Sequence, residues 1–254
     1  MHRSKPGAQC IQYSLHPMTQ ATTLQDLIGP ARSAPYLMAT HGDPKLAAVL
    51  YAWGVELAGA WHSHISYVEV AVRNAIDVQL KQWNGQHGGG PEWTAPGKAG
   101  SLLHKIIGSA IADARKSAGK EAARRPTGHP RYGHHPTHDD VVAQLMFGAW
   151  SRLLMLPHPD PHVRQKKLWS QGLCSAFPQG LSTDSGRETA GRQLESLRLL
   201  RNRIAHHDNL LGVNTIGHLN SSLSLLSKID SSYPGLVMSR NSLRRLAQED
   251  PRRF

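Results

Sequence analysis

An arginine, an amide and paired imidazoles stand together at Arg201-Asn202-Arg203-Ile204-Ala205-His206-His207, at the end of a stretch whose apolar residues recur at helical intervals. An imidazole moves protons near neutral pH. A guanidinium grips a phosphate or neutralises charge growing on it. Those two capacities are enough to break a phosphodiester without a metal ion. Side chains on a helix turn by about 100° per residue, so Asn202 and His206 share one face, as do Arg203 and His207. Arg201 and His206 stand about 140° apart on a straight helix. They meet at one small atom only if the helix unwinds at His206 or a second copy supplies the other half. His207 shares a face with Leu200, which predicts packing against the domain. The alternative reading of the segment is a polar helix end whose cations complement the dipole.

The elements that must position these groups read as helical almost throughout, with little alternation of polar and apolar residues. A short helix is predicted over 24–38. Residues 44–83 carry Leu46, Val49, Leu50, Trp53, Leu57, Trp61, Ile65, Val68, Val72, Ala75 and Gln79 at three- and four-residue steps, as one very long helix or two bent near His62 to His64. Glycine and proline mark 84–97 as a loop. A helix over 98–118 leads to a basic, proline-broken loop over 119–136. Thr137 with Asp140 predicts a capping box opening one helix through VVAQLMFGAWSRLLM, which PHPDPH at 157–162 ends. Further helices are expected over 163–177, 214–231 and 235–248. A second capping box, Ser185 with Glu188, would start the helix that runs into the motif.

The fold class is therefore all-α. One domain is expected over 21–250, behind a disordered extension over 1–20 in which Met18 offers a second candidate start. No apolar run reaches the 18 or so residues of a membrane span, and the basic N-terminus has no signal-peptide core. Two cysteines, Cys10 and Cys174, without a C-x-x-C pair, fit a reducing cytosol and argue against a zinc ribbon. With 29 Lys and Arg against 18 Asp and Glu, the net charge of +11 favours a polyanionic partner.

Other residues invite chemistry and carry plainer alternatives. Glu69, Arg73 and Asn74 fall together on a helix, where a Glu69–Arg73 ion pair is the simple reading. His129, His134, His135 and His138 lack the ligand spacing of a fixed zinc site, so no metal or other cofactor is expected. The same loop, through Arg124, Arg125 and Arg131, is a better candidate for RNA backbone contact. Trp61, Trp83, Trp150 and Trp169 read as core, and Trp93 as the tryptophan placed to stack on a base. Cys174 reads as a small buried hydrophobe.

The motif resembles the catalytic signature of HEPN ribonucleases, an Arg and a polar residue followed by a short spacer and a His. The text LESLRLLRNRIAHHDNLL is similar to the Abi-like (abortive-infection) branch of that superfamily, as are YVEVAVRNAI at 67–76 and HPRYG with PTHDDVVAQLMFGAW within 129–150. The resemblance spans roughly residues 30–235. It implies a HEPN-like helical bundle with additional helices, and a homodimer in which two motif helices meet antiparallel around one cleft. It implies further that His206 is the acid/base, Arg201 binds the scissile phosphate, and Asn202 orients the imidazole or a phosphate oxygen. The segment with Glu69, Arg73 and Asn74 would pack beside the motif helix, and Arg203 and His207 would support it. Asp208 stands where the family often has a Tyr. The expected activity is metal-independent endoribonuclease action of a cytoplasmic toxin in phage defence, restrained by an antitoxin RNA or protein. The alternative is a non-catalytic module that grips a structured RNA.

Overall fold

A computed structural model describes residues 23–156 and 162–253. The N-terminal extension expected over 1–20, and all but the last residue of PHPDPH, lie outside the described residues. Every regular element among the described residues is a helix. They fall into two compact units, one ending at Tyr51 and one beginning at Ala52.

In the first unit the helix expected over 24–38 is two: α1 (Leu24–Ile28) and α2 (Pro30–Ala39). Gly29 between them has φ +80° and precedes Pro30, whose ring removes the donor a continuing helix needs. The Asp43 carboxylate accepts from the amides of Lys45 and Leu46 at the start of α3 (Pro44–Gln86). That helix is the single long element, with no break near His62 to His64.

Beyond Ala52, α3 is the spine of the second unit. Trp53, Leu57, Trp61, Ile65, Val68, Val72, Ile76, Leu80 and Trp83 form its buried stripe. The sequence reading placed Ala75 and Gln79 on this stripe, but Ile76 and Leu80 take those places, because four-residue steps overrun the 3.6-residue turn and move the buried line around the helix. Leu46 and Val49, also expected inside, are exposed. The glycine-rich loop after α3 is pinned by Asn84, whose amide donates to the carbonyls of Gly90 and Lys98 and accepts from Gly100 N.

Helix α4 (Ser101–Ala123) follows, then α5 (His138–Gln144), opened by the expected Thr137–Asp140 capping box. The helix expected through residue 155 is interrupted, and α6 (Phe147–Leu154) starts afresh after an extended Leu145 and Met146. Leu145 and Phe147 are both buried. On one straight helix they would stand about 200° apart, so the break lets both enter the core. The helix expected over 163–177 is α7 (Val163–Ser170) and a 3-10 turn (Leu173–Ala176), separated by Gly172 at φ +151°.

The motif helix is α8 (Asp184–Ala205), with Thr183 at its N-cap. The capping box expected at Ser185 is absent. Instead the buried Arg187 guanidinium bonds Asp184 Oδ1 at 2.5 Å and Leu154 O at 2.5 Å, tying α8 to the end of α6. Gly186 is required beside it, since a Cβ there would stand 1.9 Å from Leu181 O. Gln193 and Ser196 of α8 then bond α9 (Thr215–Ile229), through Ser221 O and His218. The last helix expected over 235–248 is α10 (Tyr233–Met238) and α11 (Leu243–Gln248). The turn between them carries Asn241, which reaches His64 of α3.

Candidate functional site

Helix α8 ends in an order that its last residues dictate. His206 closes the final helical bond to Asn202 O at 2.9 Å. His207 turns to φ +54°, donating its amide to Ile204 O, while the Asp208 amide reaches Arg203 O at 2.9 Å. That pair of bonds satisfies the last carbonyls, with the left-handed residue at the position where glycine is preferred. Histidine is one of the few other residues that adopt this conformation with some frequency. The expectation that His207 packs against the domain is overturned. It is exposed, because the helix has ended and the face shared with Leu200 no longer continues.

The arginines of α8 divide into committed and uncommitted groups. Arg187 is buried among its partners, and Arg198 pairs with Glu195 at 2.6 Å. Arg203 donates to Asn209 O at 2.7 Å and so fastens the loop after the motif. Arg201 makes no hydrogen bond or ion pair among the described residues, and neither do the side chains of Asn202 and His206. Arg201 and Asn202 are half-buried, and His206 is exposed.

Glu69 of α3 lies within electrostatic reach of Arg201. Burial pushes its carboxyl above the usual range, while the positive charges of Arg201, Arg73 and His62 hold it back. Among the described residues no ion pair joins Glu69 to Arg73, so the simple pairing read from their spacing does not form. Arg73 points instead towards the Asn74 side-chain oxygen, at 3.5 Å. Asn74 is exposed and lines the neighbouring groove. His62 joins the cluster unannounced by any motif. The available signal was its place seven residues before Glu69, two turns along the same face.

The basic loop is less open than expected. The Arg131 guanidinium forks onto the Asp140 carboxylate, with Nη1 to Oδ1 at 2.9 Å, and Arg125 reaches the same carboxylate at 3.4 Å. Asp140 is held well below the usual carboxylate range, chiefly by Arg131. Arg131 therefore fixes the loop to the start of α5, which leaves Arg124 as the more open cation of that stretch.

Trp93 is fully buried, which overturns its reading as a stacking residue. Its indole donates to Asp77 Oδ1 at 2.9 Å, and His138 Nε2 meets the same oxygen at 3.0 Å. Asp77, His138 and Asp139 bring three potential ligand atoms within 4.8 Å of one another. No local spacing could show this, since Asp77 lies on α3 and the others on α5. The Lys81 ammonium lies 2.8 Å from Asp77 and 3.6 Å from Asp139, so a side-chain cation already balances these carboxylates. No helix among the described residues is long and apolar enough to cross a membrane. No family model matches the chain, and neither a curated protein nor a solved structure matches it.

Proposed function

We propose that the chain is a metal-independent endoribonuclease of the abortive-infection type, working as a homodimer. One observation carries this reading. At the end of α8, the side chains of Arg201, Asn202 and His206 make no hydrogen bond or ion pair among the described residues, while Arg187, Arg198 and Arg203 of the same helix are all engaged. In the reaction the ribose 2′-hydroxyl attacks phosphorus and the bond to the 5′-oxygen breaks, leaving a 2′,3′-cyclic phosphate and a 5′-hydroxyl. His206 takes the hydroxyl proton or returns one to the leaving oxygen. Arg201 binds the phosphate and stabilises the charge of its transition state. Asn202 orients the imidazole or a phosphate oxygen. Glu69, from α3, sets the local charge around Arg201.

The setting that follows is a toxin of phage defence in the cytoplasm, held in check by an antitoxin RNA or protein. A second reading, a module that binds structured RNA without cutting it, is favoured by one feature. No hydrogen bond among the described residues holds the His206 ring, whereas a working general base is normally fixed by a neighbour. Incubating wild type, Arg201→Ala and His206→Ala with total RNA in excess EDTA decides between them. Cleavage by wild type, lowered on the order of 10²- to 10⁴-fold in each variant at unchanged melting temperature, supports the enzyme. RNA retention without cleavage supports the binding module. Strict dependence on added Mg²⁺ or Mn²⁺ overturns the mechanism.

A further inference from the structure

Beside the Glu69 face, α3 lines a groove that the proposed reaction does not use. It holds about 740 Å³ between Tyr67, Val70 and Val78 of α3 and Leu226, Tyr233 and Leu236 of α9 and α10. Val78 is 58% exposed and Leu236 67%. Single exposed apolar residues need no explanation, but a contiguous set of them does. In a chain with 29 Lys and Arg, no charged residue among the described ones lines this groove. RNA therefore has nothing to grip there. At one end the groove runs into a smaller hollow of about 100 Å³, which shares Tyr67, Leu236 and Val237 and adds Arg240. Arg240 is exposed and has no hydrogen bond or ion pair among the described residues.

We propose that this groove seats an amphipathic helix of a partner polypeptide, with its apolar stripe against Val70, Val78 and Leu236 and an acidic side chain over Arg240. Apart from Ser175, Ala176 and Pro178, the lining comes from the helices α3, α9 and α10, whose backbone offers an added strand no ladder to extend, so a strand laid there would lose its own hydrogen bonds to water without replacement. A helix brings its backbone satisfied and needs only apolar contact. From Ser66 to Gln79 the α3 wall rises about 20 Å, the length of roughly 13 helical residues. The charge of the chain selects the partner. A net charge of +11 attracts an acidic polypeptide, and Arg240 supplies the fixed point for one carboxylate. This inference does not rest on the ribonuclease reading.

The test is a selection of 16-residue peptides from a random phage-displayed library on the full chain, repeated on Val78→Glu, Leu236→Glu and Arg240→Glu. All three positions are exposed, and circular dichroism checks that each variant stays helical. Enriched sequences should carry apolar residues at helical spacing with Asp or Glu near one end. Synthetic copies should bind Val78→Glu and Leu236→Glu at least roughly thirtyfold more weakly, and Arg240→Glu about fivefold more weakly. Enriched peptides without helical spacing, or with affinities unmoved by these substitutions, overturn the proposal. So does self-association of wild type that Leu236→Glu abolishes, which would assign the groove to a second copy. Saturation of the groove by oleate with no peptide enrichment would overturn it in favour of a lipid ligand.

Discussion

His207 shows how a single backbone angle decides what a residue does. With φ at +54° it occupies the left-handed position that ends α8, where its amide and that of Asp208 satisfy carbonyls of the last turn. The side chain is exposed and the backbone conformation costs an L-residue roughly 1 kcal/mol that glycine escapes. His207→Gly should therefore raise the melting temperature by about 2–4 °C and leave cleavage intact, as scanning calorimetry and an RNA assay would show. A fall in stability would mean that the imidazole packs after all. The types of residue at this site were legible in the sequence, because Arg, Asn and His carry their chemistry wherever they stand. Their commitments were not. Nothing local says that Arg203 is spent on Asn209 O, that Arg131 is spent on Asp140, or that Trp93 closes over Asp77. Those outcomes depend on chain segments brought together from a distance.

At the scale of elements, periodicity sufficed to place the long α3, α4, α8 and α9, where apolar stripes extend over several turns. It failed at the breaks within the stretches expected as 24–38, 141–155 and 235–248, where a turn is needed to aim one side chain. Asn241 is the clearest case. Interrupting the helix there lets its amide donate to His64 Nδ1 at 3.0 Å, so His64 Nε2–H donates to Ser222 Oγ at 2.7 Å and that hydroxyl donates to Leu219 O. The chain of bonds fixes a neutral imidazole joining α3, α9 and the α10–α11 turn. Burial drives its pKa from 6.5 to about 4. With the folded value depressed, the unfolded chain binds the extra proton first as pH falls. The full contribution of neutral His64 is present above pH 6.5, and stability is lost between 6.5 and 4, to a total of about 3 kcal/mol. Urea unfolding of wild type and His64→Gln at intervals from pH 7.5 to 4.5 should show the wild-type curve falling more steeply over that window. Parallel curves would mean that His64 is not held neutral.

For the molecule as a whole, the question is whether one chain makes a complete site. Arg201 lies within α8 and His206 caps it, and five helical steps turn one about 140° from the other. No hydrogen bond joins the two among the described residues, and the Glu69 carboxyl interacts with the Arg201 charge from within the chain. A two-fold pairing of α8 ends would bring the Arg201 of one subunit towards the His206 of the other. Mixing Arg201→Ala protein with His206→Ala protein tests this directly. In a mixed dimer one site lacks both groups, and the other keeps Arg201 from one subunit and His206 from the other. With random exchange half of the dimers are mixed and each has one working site of two, so activity should recover to roughly a quarter of wild type. Fluorescence transfer between labelled subunits confirms that exchange has taken place. Exchange without recovery means that each site draws both residues from one chain or needs all four. Cleavage by wild type that sediments as a strict monomer removes the pairing altogether.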